Sequence, residues 1–227
     1  MDRDSYHGKF IVFEGIDGAG KSTQLKLLTT HLKKEGYKVK ILDFPQYGKK
    51  SAGMVEEYLA GTFGSLKEVG PYEASIFYAV DRYDMSFQIR EWLKQRIIVV
   101  SDRYVGSNIG HQGSKIANRE ERAKYFKWLF DLEYGILKIP KPDKIFFLNI
   151  PAEIAQKLCN NSERRKKKKS DLHEENLEHL KNASLSYLHA ASLYPKDFVV
   201  VEEMKGSKLL SPEEIHETVW RGIKKIL

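Results

Sequence analysis

Apolar residues along the chain gather in five short runs rich in β-branched and aromatic side chains: Phe10–Glu14, Val39–Phe44, Ile97–Asp102, Lys144–Ile150 and Phe198–Val201. Runs of this length and composition predict strands. Longer helical patterns separate them. Leu25, Leu28 and Leu32 give an apolar stripe to a helix after the first strand, and Gly36 is placed to end it. Pro71–Leu93 predicts one long helix, and others are expected from near Pro151 and from about Asp171 to Ala191. Ser211, Pro212 and Glu214 carry the signature of a capping box with proline at the first helical position, followed by Ile215, Val219, Ile223 and Ile226. Strands alternating with helices predict an α/β fold of three layers, a five-stranded parallel sheet with helices on both faces.

With 227 residues, 41% of them hydrophobic, the chain can bury one substantial core and is read as a single domain over 1–227. No run approaches the roughly 20 apolar residues that cross a bilayer, and the start MDRDSYHGKF lacks the apolar stretch of a signal peptide. A cytoplasmic protein with no membrane partner is expected. The single cysteine, Cys159, excludes an internal disulfide framework and a multi-cysteine metal site, and it is read as a packing residue.

The net charge of +7 invites a nucleic-acid reading, but the hexapeptide Arg164–Lys169 (RRKKKK) holds six of the positive charges and leaves the remainder close to neutral. A protein that coats nucleic acid spreads cations over a face or groove. Nucleic acid is therefore not an expected partner.

Gly15-Ile16-Asp17-Gly18-Ala19-Gly20-Lys21-Ser22 fits G-x-x-x-x-G-K-[ST], the P-loop pattern, and lies directly between the first predicted strand and helix. In such a loop backbone N–H groups turn around phosphate oxygens, and a helix N-terminus, here with Thr23 in its first turn, favours the anion. Lys21 is placed to reach the β- and γ-phosphates of ATP and Ser22 to offer an oxygen to Mg²⁺. The same cradle serves kinases, GTPases, motors and helicases, so the loop alone does not name a reaction.

The neighbouring residues narrow it. The stretch FEGIDGAGKSTQ, with Asp17 inside the loop, resembles the thymidylate kinase family of P-loop nucleoside-monophosphate kinases. The resemblance continues in order through nearly the whole chain: Phe44-Pro45 after the second strand, Tyr78-Ala79-Val80-Asp81-Arg82 in the long helix, and Asp102-Arg103-Tyr104 at the end of the third strand. Ser107-Asn108, the turn Pro142-Asp143, and a basic segment at about 159–171 followed by Asp171, Glu174 and Tyr187 complete it. It implies the P-loop NTPase fold, transfer of the γ-phosphate of MgATP to dTMP to give dTDP and ADP, and a homodimer, for which the helices Glu73–Leu93 and Arg119–Leu137 offer aromatic-rich faces.

Roughly six negative charges meet in such a transfer, and the acceptor phosphate, with a second pKa of about 6, is already largely ionised. Positioning and charge stabilisation then matter more than a general base. The candidate cations are Lys21, Arg82, Arg103, Arg164 and Arg165. By resemblance Arg103 holds the acceptor phosphate, Arg82 and Asn108 address the base, Tyr47 lies near the acceptor phosphate, and Asp17 sits near the sugar 3′-hydroxyl and the metal, the alternative being that Asp17 only shapes the loop through Asx-type hydrogen bonds. Asp102 is expected to orient Arg103 or a metal-bound water, or only to cap the following turn, and Arg82 is alternatively a solvated helix residue. Tyr78, with Phe77 beside it, is the candidate for stacking on the base, Ser107 a weaker contact, and Pro45 fixes the exit from the second strand next to Phe44.

This chain departs from the family pattern at Gln46, where several relatives carry arginine, at His111, where an aromatic is usual, and at Gly18, where one branch places an arginine toward the γ-phosphate. The missing charge is expected from Arg164 and Arg165, in a lid closing over ATP. Two other readings remain: a deoxynucleoside kinase, which needs a general base that no carboxylate after the second strand supplies, and a weakly catalytic P-loop protein whose basic tract binds nucleic acid.

Overall fold

The computed structural model describes residues 8–65, 68–161 and 177–227. Its centre is β1 (Phe10–Glu14), whose five residues are all buried. Around it lie β2 (Val39–Asp43), β3 (Ile98–Asp102), β4 (Lys144–Asn149) and β5 (Phe198–Glu202), in the spatial order β2-β3-β1-β4-β5 with every pairing parallel. The expected sheet is therefore present, each strand end within a residue of its predicted limit. Parallel strands require crossovers, and helices on the two faces supply them.

Alternation along β1 divides the core. Phe10 and Val12 point to a layer containing α3 (Pro71–Lys94), α4 (Val105–His111), α5 (Arg119–Phe130) and α7 (Leu177–Leu193), while Ile11 and Phe13 point to α1 (Lys21–Lys34) and α8 (Pro212–Ile223). A period of two thus sends successive side chains into separate apolar layers. Leu28 and Leu32 of α1 are fully buried against the second layer, as is Ile223 of α8. Helix α8 starts on the expected capping box: the Ser211 hydroxyl accepts from the Glu214 N–H at 3.2 Å and Glu214 accepts from the Ser211 N–H at 2.7 Å.

Among the features not read from the sequence is the short helix α4 after Tyr104. Helix α2 (Gly53–Ala60) follows β2, and a short hairpin of β6 (Met204–Lys205) and β7 (Lys208–Leu209) turns at Gly206 after β5. The predicted helix Arg119–Leu137 is α-helical only to Phe130; Asp131–Ile136 widens into a π-helical turn, with the Leu137 N–H bonded to the Leu132 carbonyl at 2.8 Å. Glu133, four residues after the buried Leu129, continues the inward face of α5, and the π turn rotates the side chains that follow it. Helix α6 (Ala152–Asn161) begins as expected after Pro151, and α7 is described from Leu177. No helix among the described residues is long and apolar enough to cross a membrane.

Candidate active site

The carboxyl ends of β1, β2 and β3 open onto a cavity of about 960 Å³. This is where a doubly wound sheet binds ligands, because the loops diverge there. The P-loop forms its floor. Lys21 opens α1, is 7% exposed, and its Nζ donates to the Gly15 and Ile16 carbonyls at 3.1 and 3.0 Å, so the ammonium is folded back over the loop. Burial and the nearby Arg103 push it below the usual lysine range, while Asp102, Asp17 and Glu14 pull it back. The backbone at Gly18 has φ +89°, and a Cβ there would stand 2.0 Å from the Ala155 carbonyl oxygen. Only glycine fits that approach.

At the end of β3, Arg103 adopts the left-handed conformation (φ +68°), and its N–H still donates to the Phe13 carbonyl at 2.9 Å. Such backbone is costly for a residue with a Cβ and persists where the surroundings fix it. Its effect is to turn the guanidinium back over the P-loop. Nη2 pairs with the Asp17 carboxylate and Nη1 meets His111 Nε2 at 3.0 Å. Burial works against the charged guanidinium, but Asp17, Tyr187, Asp102 and Glu14 together more than compensate and keep it protonated. Asp102 lines the same cavity, and its Oδ1 is buried without a hydrogen-bond partner among the described residues.

Arg82 is 1% exposed, which overturns its alternative as a solvated helix residue. Glu133 holds it through Nε at 2.7 Å and Nη2 at 2.5 Å, and Nη1 reaches the Asn108 side-chain oxygen and the Tyr104 carbonyl at 3.3 Å. Asn108 Nδ2 has no partner among the described residues. Phe44, Pro45, Tyr47, Tyr78, Ser107 and Asn108 all line the cavity, as do Asp17, Gly18, Gly20, Ser22 and Thr23. Gly15, Ile16 and Ala19 lie beneath the loop in the core instead. Phe77 does not line the cavity and packs on Tyr58 and Phe63. Arg164, Arg165, Asp171 and Glu174 lie outside the described residues.

Sequence reasoning passed over several acids and a histidine. Glu14, fully buried at the end of β1, accepts from the Tyr104 N–H (2.8 Å), the Ser107 hydroxyl (2.8 Å) and the Tyr187 hydroxyl (2.9 Å), and so ties β1, α4 and α7 together beneath Arg103. An acid closing an apolar strand was its visible signal. Burial pushes its carboxyl up, with Arg103 and these donors opposing. Glu203, just past β5, is 3% exposed beside Lys21, and burial pushes its carboxyl up to about 7. Asp81 fixes the chain after β2 by accepting from the Gln46 N–H at 2.8 Å and the Ser51 hydroxyl at 3.0 Å. His179 on α7 meets His111 at 3.2 Å.

Comparison with known proteins agrees with this geometry. The family model for thymidylate kinase matches residues 13–215. A thymidylate kinase of Thermoanaerobacter sp. (strain X514) is 31% identical over 222 residues, 97% of this chain and 99% of its own length. That of Plasmodium falciparum is 32% identical over 156 residues, covering 69% of this chain and 68% of the relative. Among solved structures, thymidylate kinase from Candida albicans superposes with a TM-score of 0.73 at 23% identity, over 96% of this chain and 92% of the other, which shows the shared P-loop NTPase fold. The matched span takes in the P-loop, the Arg82 helix and the Arg103 turn, and on that basis the chain belongs to the thymidylate kinase family.

Proposed function

We propose that this protein is a thymidylate kinase: an oxygen of the dTMP 5′-phosphate attacks the γ-phosphorus of ATP, a new P–O–P bridge forms, the bond from the γ-phosphorus to the bridging oxygen breaks, and dTDP and ADP leave. One observation carries the reading. Lys21 and Arg103, from different strand–helix connections, bring two fixed cations to one cavity whose far wall is aromatic and amide-bearing. Cations arranged before substrate arrives are what lets two phosphate esters approach each other.

In this reading the P-loop amides and Lys21 hold the β- and γ-phosphates, and Arg103 exchanges part of its pairing with Asp17 for the acceptor phosphate. Arg82 and Asn108 address the pyrimidine edge and Tyr78 lies against its face, with Phe44, Pro45 and Tyr47 closing the side near β2. Ser22, Asp102 and Asp17 offer oxygen donors that suit a hard cation, and the buried Asp102 Oδ1, without a hydrogen-bond partner among the described residues, fits that use. Bound there, Mg²⁺ would supply neutralisation of the β- and γ-phosphate charge. From sequence, Arg164 and Arg165 are the further positive groups for the transferring phosphoryl; turnover at the wild-type rate in both single alanine variants would remove them from the mechanism.

The apolar side chains Ile76, Val80, Tyr83 and Phe87 share one exposed face of α3, and we assign that face to a homodimer. Phosphorylation of a free nucleotide, a single cysteine and no membrane-spanning helix among the described residues are consistent with a cytoplasmic enzyme. ADP release measured with MgATP across thymidine, dTMP, dUMP and purine monophosphates tests the activity: dTMP is expected to be the preferred acceptor, and silence with every pyrimidine monophosphate overturns the proposal.

A further inference from the structure

The histidine that departs from the family pattern, His111, sits at the head of a hydrogen-bonded chain with a single possible direction. Arg103 Nη1 lies 3.0 Å from His111 Nε2, His111 Nδ1 lies 3.2 Å from His179 Nε2, and His179 Nδ1 faces the Ser114 hydroxyl at 3.5 Å. Ser114 in turn donates to the His111 carbonyl at 2.7 Å. A guanidinium has only donors, so His111 Nε2 must accept. Its proton is then on Nδ1 and is directed at His179 Nε2, which must accept as well. That leaves the His179 proton on Nδ1, facing the serine oxygen. Both imidazoles are neutral in this arrangement, and both tautomers are set.

We propose that His179 is a positioning residue for Arg103, acting through His111 by holding it in the Nδ1–H tautomer that accepts from the guanidinium. The geometry around the pair supports a locked arrangement. The two rings lie within 23° of coplanar with centroids 5.5 Å apart, as an in-plane N–H···N bond requires. Tyr187 packs edge-on against His111. Burial pushes His179 below the usual histidine range, with Asp17 opposing and Lys115 assisting, which favours the neutral ring. Without His179, His111 is free to place its proton on Nε2, where it confronts the guanidinium and leaves Arg103 held by Asp17 and by long contacts of 3.5 Å to the Gly15 carbonyl and the Ser107 hydroxyl. Arg103 lies in strained backbone and reaches across the cavity, so a loss of aim reaches the acceptor phosphate directly.

The role of Arg103 rests on the function proposed above, and the experiment separates the two. Nitrogen-15 NMR of the histidines reads the tautomer of His111 without substrate. The wild type is expected to carry its proton on Nδ1; a proton on Nε2 overturns the inference. Acceptor KM is then compared in His179→Gln, whose side-chain oxygen can replace Nε2 as acceptor, and His179→Leu, which has none. Leu is expected to raise the dTMP KM roughly tenfold with kcat and the ATP KM near wild type, and Gln to restore most of the loss. Equal dTMP KM values in the two variants overturn it, and an altered ATP KM in the Leu variant marks general damage and does the same. Should the wild type phosphorylate no pyrimidine monophosphate, the proposed function fails while the tautomer still decides the inference.

Discussion

Arg82 on α3 and Glu133 in the π-helical turn meet as a bidentate ion pair at 2.5 and 2.7 Å, with side chains 1% and 0% exposed, far from each other in sequence and wholly removed from water. Burial pushes the Glu133 carboxyl up and opposes the Arg82 charge, and each group answers the cost of the other. Removing one partner strands the other. Glu133→Ala is expected to lower stability by about 3–5 kcal/mol, whereas Glu133→Leu combined with Arg82→Met loses less than the two single changes added together. Urea unfolding of wild type, Glu133→Ala, Glu133→Leu, Arg82→Met and the double variant checks this; strictly additive losses in the cycle would contradict the pairing.

Gly18 gives a prediction that tests an expectation drawn from the resemblance, that arginine suits this position. Here φ is +89° and a Cβ would press within 2.0 Å of the Ala155 carbonyl. Gly18→Arg is expected to weaken ATP binding at least tenfold and to lower the melting temperature, without any gain in kcat. A variant faster than wild type would show that α6 yields to the loop.

Glu203 yields a signed pH dependence. Its carboxyl is pushed from 4.5 up to about 7 in the folded protein, so between those values the native state holds a proton that the unfolded chain has released. Stability from this group therefore falls as pH rises from 4.5 to about 7 and is level above. Glu203→Gln removes the slope. The variant is expected to gain about 3 kcal/mol relative to wild type between pH 4.5 and 7.5, read as the difference between their urea midpoints. A difference independent of pH would place an ionised Glu203 in the folded protein.

The face of α3 is tested by charge. Val80 is 51% and Phe87 56% exposed, one above the other with Ile76 and Tyr83. Val80→Glu with Phe87→Glu is expected to convert a dimer into a monomer at micromolar concentration in analytical ultracentrifugation, with the fold retained by circular dichroism. A wild type that sediments as a monomer would leave that face to another role.

The strands, the P-loop and the capping box of α8 were legible because each is local: its signal lies within a few adjacent residues. The ordered motifs likewise gave the family and the cavity-lining set from Phe44 to Asn108. What escaped depends on pairs distant in sequence. Glu133 looks like any acid in an amphipathic helix until the fold sets it against Arg82, 51 positions away, and Glu14 gains its meaning from Tyr104, Ser107 and Tyr187, up to 173 positions away. The His111–His179 contact is of the same kind, since neither ring is unusual in its own segment.

The widened turn at Asp131–Ile136 has a further consequence, for length rather than chemistry. A π turn accommodates one residue more than the straight helix it interrupts, so deleting a single residue after Glu133 would let α5 run on regularly and turn Leu137 and the chain leading to the buried Ile139 onto another side. Side chains can change freely where, as at Gly135, there is open space around the chain. The spacing between Phe130 and Leu137 cannot, and insertions or deletions are the changes this stretch of chain is built to refuse.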